Sequence, residues 1–435
     1  MELTDYVYVP KGKGNCYGLG IPNFTKADTL LYINFYNTKN EVVDDFLINK
    51  HEVTVSDYLK FIHWVKDSIE STTSTNNIPL NKIEYSFLLS SGAQVSVMIY
   101  PDTLAWIKDY PYTYNEPFAL MYMRPDSYKD YPVVGVSWYQ AQAYIFWLNC
   151  RMKELLKNHS FPEDLCQFKL PSESQWEYAA CYYEIPSDKE NISEYSYSSS
   201  SRFFPWSGSE LYVDDKTNEI MYKANYWNEL NENQIVLKNS ADDGGLHTSE
   251  IMKYPPNPLG VYDIAGNVSE WTDDSITLSY TYNNYNLYSN LSKGDEKSMN
   301  RKIMLNGEMV DVNSFEYKKA FFDSLLLADA PCFFPYTEGW YYTKKILNCD
   351  CSITRDSYDV ECRQKYFLYL VLWNKNLIEK GPNSIVKGGS WADSKLYLAV
   401  KTRQLYKKTD QSCEVGFRVA VQISDEYRRL FMNHR

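Results

Sequence analysis

Apolar residues recur at helical spacing in three stretches of the chain, and each stretch opens on a residue able to cap it. After Thr54, Tyr58, Phe61, Ile62 and Val65 fall at i, i+3, i+4 and i+7, which predicts a helix with one buried face. The Thr54 hydroxyl can accept from the free N–H groups of the first turn, and Asp57 complements the helix dipole. A second helix is predicted from Ser137 in "SWYQAQAYIFWLNCRMKELL", where Ser137 and Gln140 have capping-box spacing. A third begins at Ser172 in "LPSESQWEYAA", with Gln175 completing the same device.

Period-two patterns are shorter. "YVYVPKGKGNCYGLG" reads as a strand entering a glycine turn, and "VVDDFLINKHEVT" as an extended segment feeding the first helix. Near the C-terminus "SIVKGGSW" and "EVGFRVAVQI" read as strands, the latter placing Phe417, Val419 and Val421 on one face. Residues 184–260 are dominated by Ser, Asn, Asp, Gly and Pro and read as loops. Residues 273–384, rich in Tyr and Asn, read as an insertion containing a helix at "KKAFFDSLLLA" and a buried strand or helix at "QKYFLYLVLW". No solenoid repeat or flexible linker divides the chain, so residues 1–435 are expected to form one elaborated domain.

The balance of 44 Lys and Arg against 56 Asp and Glu gives a formal charge of -12, which disfavours nucleic acid and anionic membrane surfaces as partners. The longest apolar run, Tyr366 to Trp373, is too short to span a bilayer. Met1 to Asp5 hold no basic n-region, apolar stretch or lipidation cysteine, so the sequence as it stands predicts no secretion signal. The 40 Tyr and 11 Trp exceed what a core needs and suggest a loop-rich interior or an interaction surface. Cys332, Cys349, Cys351 and Cys362 fall in one segment, open to a metal site, local disulfides or inert thiols, without a zinc-knuckle spacer.

The blocks "HEVTVSDYLKF" (51–61), "YPVVGVSWYQAQAYIFWLN" (131–149), "LPSESQWEYAA" (170–180), "FPWSG" (204–208), "NPLGVYDIAGNVSEW" (257–271), "VKGGSW" (386–391) and "EVGFRVA" (414–420) occur in the order of the formylglycine-generating enzyme (sulfatase-modifying factor) family, which the chain resembles. The resemblance implies an α+β domain with that family's variant of the C-type lectin-like fold, loop-rich, the long insertion lying outside the match. "YLKFIHWVKDSIE", "YPDTLAWIKDYPYTYNEP" and "GGSWADSKLYLAVKTRQLYKKTDQSCEVGFR" look like the gliding-motility lipoproteins of the type IX secretion machinery, most closely its K member. That narrower likeness implies a lipoprotein of the periplasm and outer membrane, assembled with protein partners into a ring. Membrane contact would then come only through a lipid anchor.

Catalytic members of the family are implied to hold Cu(I) on two cysteines between the "GGS" turn and the following arginine. Here Gly388 to Arg403 contains no cysteine, and soft monovalent copper needs thiolates. Other relatives are implied to use a histidine cluster with iron. The five histidines, His51, His63, His159, His247 and His434, include no close pair, and a triad built on His51, His63 or His247 has no nucleophile-elbow serine to serve. Glu173 and Glu177 lie one helical turn apart, as carboxylates on an exposed face commonly do, beside a core-like Trp176. The expectation is a non-catalytic structural or assembly component; the alternatives are an oxidoreductase of the family's type or a glycan- or peptide-binding module.

In "YDIAGNVSEW", Asp263 and Glu270 flank a Gly266-Asn267 turn whose carbonyls at Gly266 and Val268 could complete an oxygen shell for Ca2+. The family resemblance implies a structural calcium there and a second at Asn225, Tyr226, Asp243 and Gly245. The competing assignment has Asn267 bonding its own turn and Glu270 paired with Arg403 or Arg418.

Overall fold

The computed structural model describes residues 3–13, 41–73, 77–110, 115–182, 204–206, 211–213, 220–226, 245–276, 302–305, 308–311, 383–393 and 397–431. The two insertion segments expected to be helix or strand, and the cysteine group at 332–362, lie outside these residues. By contact the chain divides into one unit of residues 1–19, 36–276 and 383–435 and another of residues 20–35 and 277–382. In the second unit, Lys302–Leu305 pairs antiparallel with Glu308–Asp311.

In the first unit the three expected helices form where their caps placed them: α1 (Val55–Thr73), α2 (Trp138–Asn158) and α3 (Glu173–Ala180). Thr54 Oγ1 accepts from Asp57 N at 3.1 Å, and both capping boxes, Ser137 with Gln140 and Ser172 with Gln175, close in both directions. Tyr58, Phe61, Ile62 and Val65 are all buried on one face of α1, where Tyr58 stacks on Tyr144 of α2. Among the described residues, no helix is long and apolar enough to cross a membrane.

The principal strands are β1 (Tyr6–Val9), β2 (Phe46–Asn49), β3 (Cys166–Lys169), β4 (Ser269–Ile276), β5 (Asn383–Lys387), β6 (Gln404–Lys407), β7 (Val415–Gly416) and β8 (Ala420–Ile423). They build two four-stranded sheets, ordered β1-β2-β8-β3 and β6-β5-β4-β7. The first is antiparallel throughout; in the second, β7 runs parallel to β4. The first sheet is covered on both faces: Leu47, Phe168 and Val421 join the larger apolar core with α1 and α2, whereas Val9, Phe46, Ile48 and Ala420 join a smaller one with Trp176 of α3.

"EVGFRVAVQI" is therefore two strands rather than one. Val415–Gly416 pairs in the second sheet, Ala420–Ile423 pairs in the first, and the residues between carry the chain from one to the other. Gly416 marks the bend, because a Cβ there would meet Val133 O at 2.7 Å. The expected alternation survives the break, with Phe417, Val419 and Val421 all in the larger core. Within 184–260, expected to be loops, Leu211–Val213 and Ile220–Tyr222 form a short antiparallel ladder.

Candidate functional site

The loop from Asp263 to Glu270 leads into β4 and carries two left-handed residues, Gly266 (φ 81°) and Asn267 (φ 59°). Gly266 is required: a Cβ would meet Asn225 O at 2.3 Å. Three strings far apart in sequence meet here. Asn267 N donates to Asn225 O (2.8 Å), Gly266 N to Gly388 O (3.0 Å), and Trp391 N to Asn267 O (2.9 Å). The Asn267 side chain accepts from Ser249 N at 2.8 Å and donates to Glu52 Oε2 at 3.2 Å. Of the proposed ligand residues, Asn225, Tyr226, Gly245, Asp263, Gly266, Val268 and Glu270 are described, while Asp243 lies outside the described residues.

Glu270 is fully buried and paired with Arg418, one of the two arginines considered for it. Arg418 Nε and Nη2 donate to its two carboxylate oxygens at 2.6 and 2.5 Å, and Trp176 Nε1 donates to Oε2 at 2.7 Å. Arg418 also donates to Asn49 O and Tyr262 O, which satisfies the fork. Two further buried carboxylates share this guanidinium. Burial lifts Glu52 well above the usual carboxylate range, with Asp263 adding to the effect, and lifts Asp263 up to about 7.

These positions fit the implied calcium unequally. Glu270 already accepts three hydrogen bonds, and the adjoining guanidinium repels a second cation, so Asp263, Gly266, Val268 and Glu270 do not form an oxygen cage as they stand. Asn225 differs. Its side chain is 1% exposed, Nδ2 is held by His247 O at 2.8 Å, and Oδ1 has no hydrogen-bond partner. An orphaned acceptor against Gly245 is the chemistry a hard cation takes.

Glu173 and Glu177 depart from expectation. Both are buried rather than exposed, and both are bound to cations from the C-terminal strands. Arg403 Nε and Nη2 clamp Glu173 at 2.5 Å each, Lys387 Nζ lies 2.8 Å from Glu177 and 3.5 Å from Glu173, and Lys401 Nζ reaches Glu177 at 2.6 Å. Burial alone would raise Glu173, but Lys387 and Arg403 outweigh it and hold the carboxyl below its ordinary value. A carboxylate so fixed neither takes nor gives a proton near neutrality, which removes it from acid–base work.

The turn from Gly388 to Asp393 folds onto itself. Asp393 Oδ2 accepts from Ser390 N and Ser390 Oγ at 2.8 Å each, and Oδ1 accepts from Gln404 at 2.9 Å. Leu398 is fully buried with Ala224, Tyr226 and Ala265. The described thiol beside this turn is Cys413, whose carbonyl accepts from Trp391 Nε1 at 3.4 Å and whose sulfhydryl burial holds well above its ordinary range. Among the described residues, no group of three or more His, Cys, Asp or Glu side chains is arranged to hold a metal ion.

Sequence gave no warning of the acidic group under this turn. Burial lifts Glu414 up to about 8, helped by Asp393 and Asp109, while Tyr110 donates to it. Nor, among the described residues, do the histidines build a triad. His63 is exposed on α1, and His51 Nδ1 meets Glu52 O at 2.7 Å. His247 lies between Phe118 and Trp391, centroids 4.6 and 4.8 Å away, its Nε2 meeting Asn115 Oδ1. Burial lowers its pKa and so favours the neutral ring.

The chain is 25% identical over 248 residues to the formylglycine-generating enzyme of Mus musculus, covering 55% of this chain and 51% of that protein. It is 28% identical over 151 residues to the Streptomyces coelicolor enzyme, covering 35% and 34%. It is also 27% identical over 144 residues to "Inactive C-alpha-formylglycine-generating enzyme 2" of Bos taurus, covering 33% of each. The chain thus spans about half the length, or less, of these curated relatives. Among solved structures, PvdO from Pseudomonas aeruginosa superposes at a TM-score of 0.38 and 15% identity, covering 96% of this chain and 94% of that one, a likeness too low to carry weight. The profile of the sulfatase-modifying factor enzyme 1-like domain matches residues 3–423, nearly the whole chain, and the chain belongs to that family.

Proposed function

We propose that the chain is a non-catalytic member of its family, with the family's C-type lectin-like fold, acting as a structural or assembly component of an outer-membrane type IX secretion and gliding complex. The observation that carries the non-catalytic half is the segment from Gly388 to Arg403. It has no sulfur; its carboxylate, Asp393, is bonded to its own turn, and Leu398 is packed in apolar surroundings. Cu(I) without a thiolate pair has no holder there, and one relative is itself named inactive. Purified protein incubated with Cu(I) and a cysteine-containing peptide should retain no stoichiometric copper after gel filtration and form no aldehyde. Retained copper with turnover would overturn this half.

The assembly half rests on the three segments that resemble gliding-motility lipoproteins and on aromatic residues suited to protein contact. Leu104, Leu120 and Leu246 are exposed close in sequence to the stacked Trp106, Phe118 and His247. The protein would act in the periplasm at the outer membrane, held by a lipid and by ring-forming protein partners. Affinity isolation from an envelope extract should recover it in a large complex; recovery as a lone monomer would count against this. Calcium bound at Asn225, Tyr226, Asp243 and Gly245 would hold the loops together, so chelation should lower Tm in wild type and not in Asn225→Leu.

A further inference from the structure

A cavity of about 300 Å3 opens between Pro205-Trp206 and the loop from Pro255 to Ala265. Most of its wall is rigid and apolar, made by Trp206 and the rings of Pro205, Pro255, Pro256 and Pro258. Asp263 lines the same cavity and is 6% exposed. Its Oδ2 accepts from Met252 N at 2.7 Å, and among the described residues Oδ1 accepts no hydrogen bond. Oδ1 is therefore turned to the cavity, where a ligand can supply the donor that the protein does not.

We propose that this cavity binds a small organic cation, an aliphatic ammonium whose charged head is taken by Asp263 Oδ1 and whose hydrocarbon body lies against Trp206 and the prolines. The sign of the ligand follows from the surrounding charge. Glu52, Asp263 and Glu270 share the guanidinium of Arg418, and Glu270 holds it in both forks, which leaves Asp263 without a cation of its own. Lys223 also lines the cavity but has a partner of its own and is not among the contacts of Asp263. A hard metal ion needs six or more oxygens, whereas this wall is mostly carbon. An ammonium group meets both demands, through a charge-assisted hydrogen bond at one end and apolar contact along the rest. The indole face of Trp206 adds attraction for a cation.

The test is isothermal titration of the full chain at pH 8, above the value of about 7 to which burial lifts Asp263, with n-butylammonium, its neutral counterpart n-butanol, and Ca2+ alone. Saturable one-to-one binding of the ammonium, at least tenfold tighter than of the alcohol, is expected in wild type. Asp263→Asn should weaken it at least tenfold. Asparagine keeps an acceptor for Met252 N and tolerates the left-handed φ of 51° at this position, and an unchanged urea midpoint would verify its fold. Equal binding of ammonium and alcohol, ammonium binding that persists in Asp263→Asn, or binding of Ca2+ but not of the ammonium would each overturn the proposal. The wild-type comparison decides even if the variant does not fold.

Discussion

Two buried ionic groups support the same fold in opposite ways. At α3, the carboxylates Glu173 and Glu177 face three cations, Lys387, Lys401 and Arg403, each carboxylate touching two of them. Around Arg418 the ratio is inverted, with one guanidinium for Glu52, Asp263 and Glu270. The first group is redundant, since loss of one cation leaves every carboxylate a partner. The second hangs on a single residue and leaves one carboxylate to face a cavity. Burial is thus balanced by surplus cations at one site and by a single shared guanidinium at the other.

Removing the shared guanidinium should produce the largest effect. Arg418→Met leaves Glu270 and its neighbours without a cation and should cost about 3–5 kcal/mol in urea unfolding, or leave no folded protein. Lys387→Met should cost less, about 2 kcal/mol, because Arg403 still holds Glu173 and Lys401 still holds Glu177. Equal losses would show that the α3 group is not redundant. The two groups should also answer pH with opposite signs. Asp263 is raised from an unfolded value of about 3.9 up to about 7, so its contribution is present below the unfolded value and is lost as pH rises through about 7. Glu173 is lowered, so its contribution is present above the unfolded value and lost as pH falls through the folded one. Unfolding free energies from urea titrations between pH 5 and 8 should decline more steeply in wild type than in Asp263→Asn, by about 2 kcal/mol over that range. The smallest effect is expected at the cap of α3, where Ser172→Ala should cost about 1 kcal/mol and leave both pH slopes unaltered.

Sequence disclosed what neighbours in the chain decide. Caps at Thr54, Ser137 and Ser172 act over three residues, and the helices start where those residues stand. The turn at Gly266-Asn267 and the pairing of Glu270 with Arg418 were also legible as possibilities. Burial of Glu173 and Glu177 was not, because two carboxylates a turn apart look the same on an exposed face, and Lys387 lies 210 residues from Glu177. The break in 414–423 escaped for a similar reason: alternation continues through it, and only the pairing of Val415–Gly416 in one sheet and Ala420–Ile423 in the other reveals it. The ladder on either side of 306–307 did have a signal, since Asn306-Gly307 is a strong hairpin dipeptide.

Ile276 of β4 lies opposite Asn383 of β5, so the chain departs from the second sheet and returns to it at adjoining rungs of one antiparallel ladder. Topologically, β4 and β5 are neighbouring arms of one antiparallel ladder. A change of chain length between adjoining rungs costs little closure entropy and leaves the register of the framework alone, so an engineer can use this doorway to graft a foreign module.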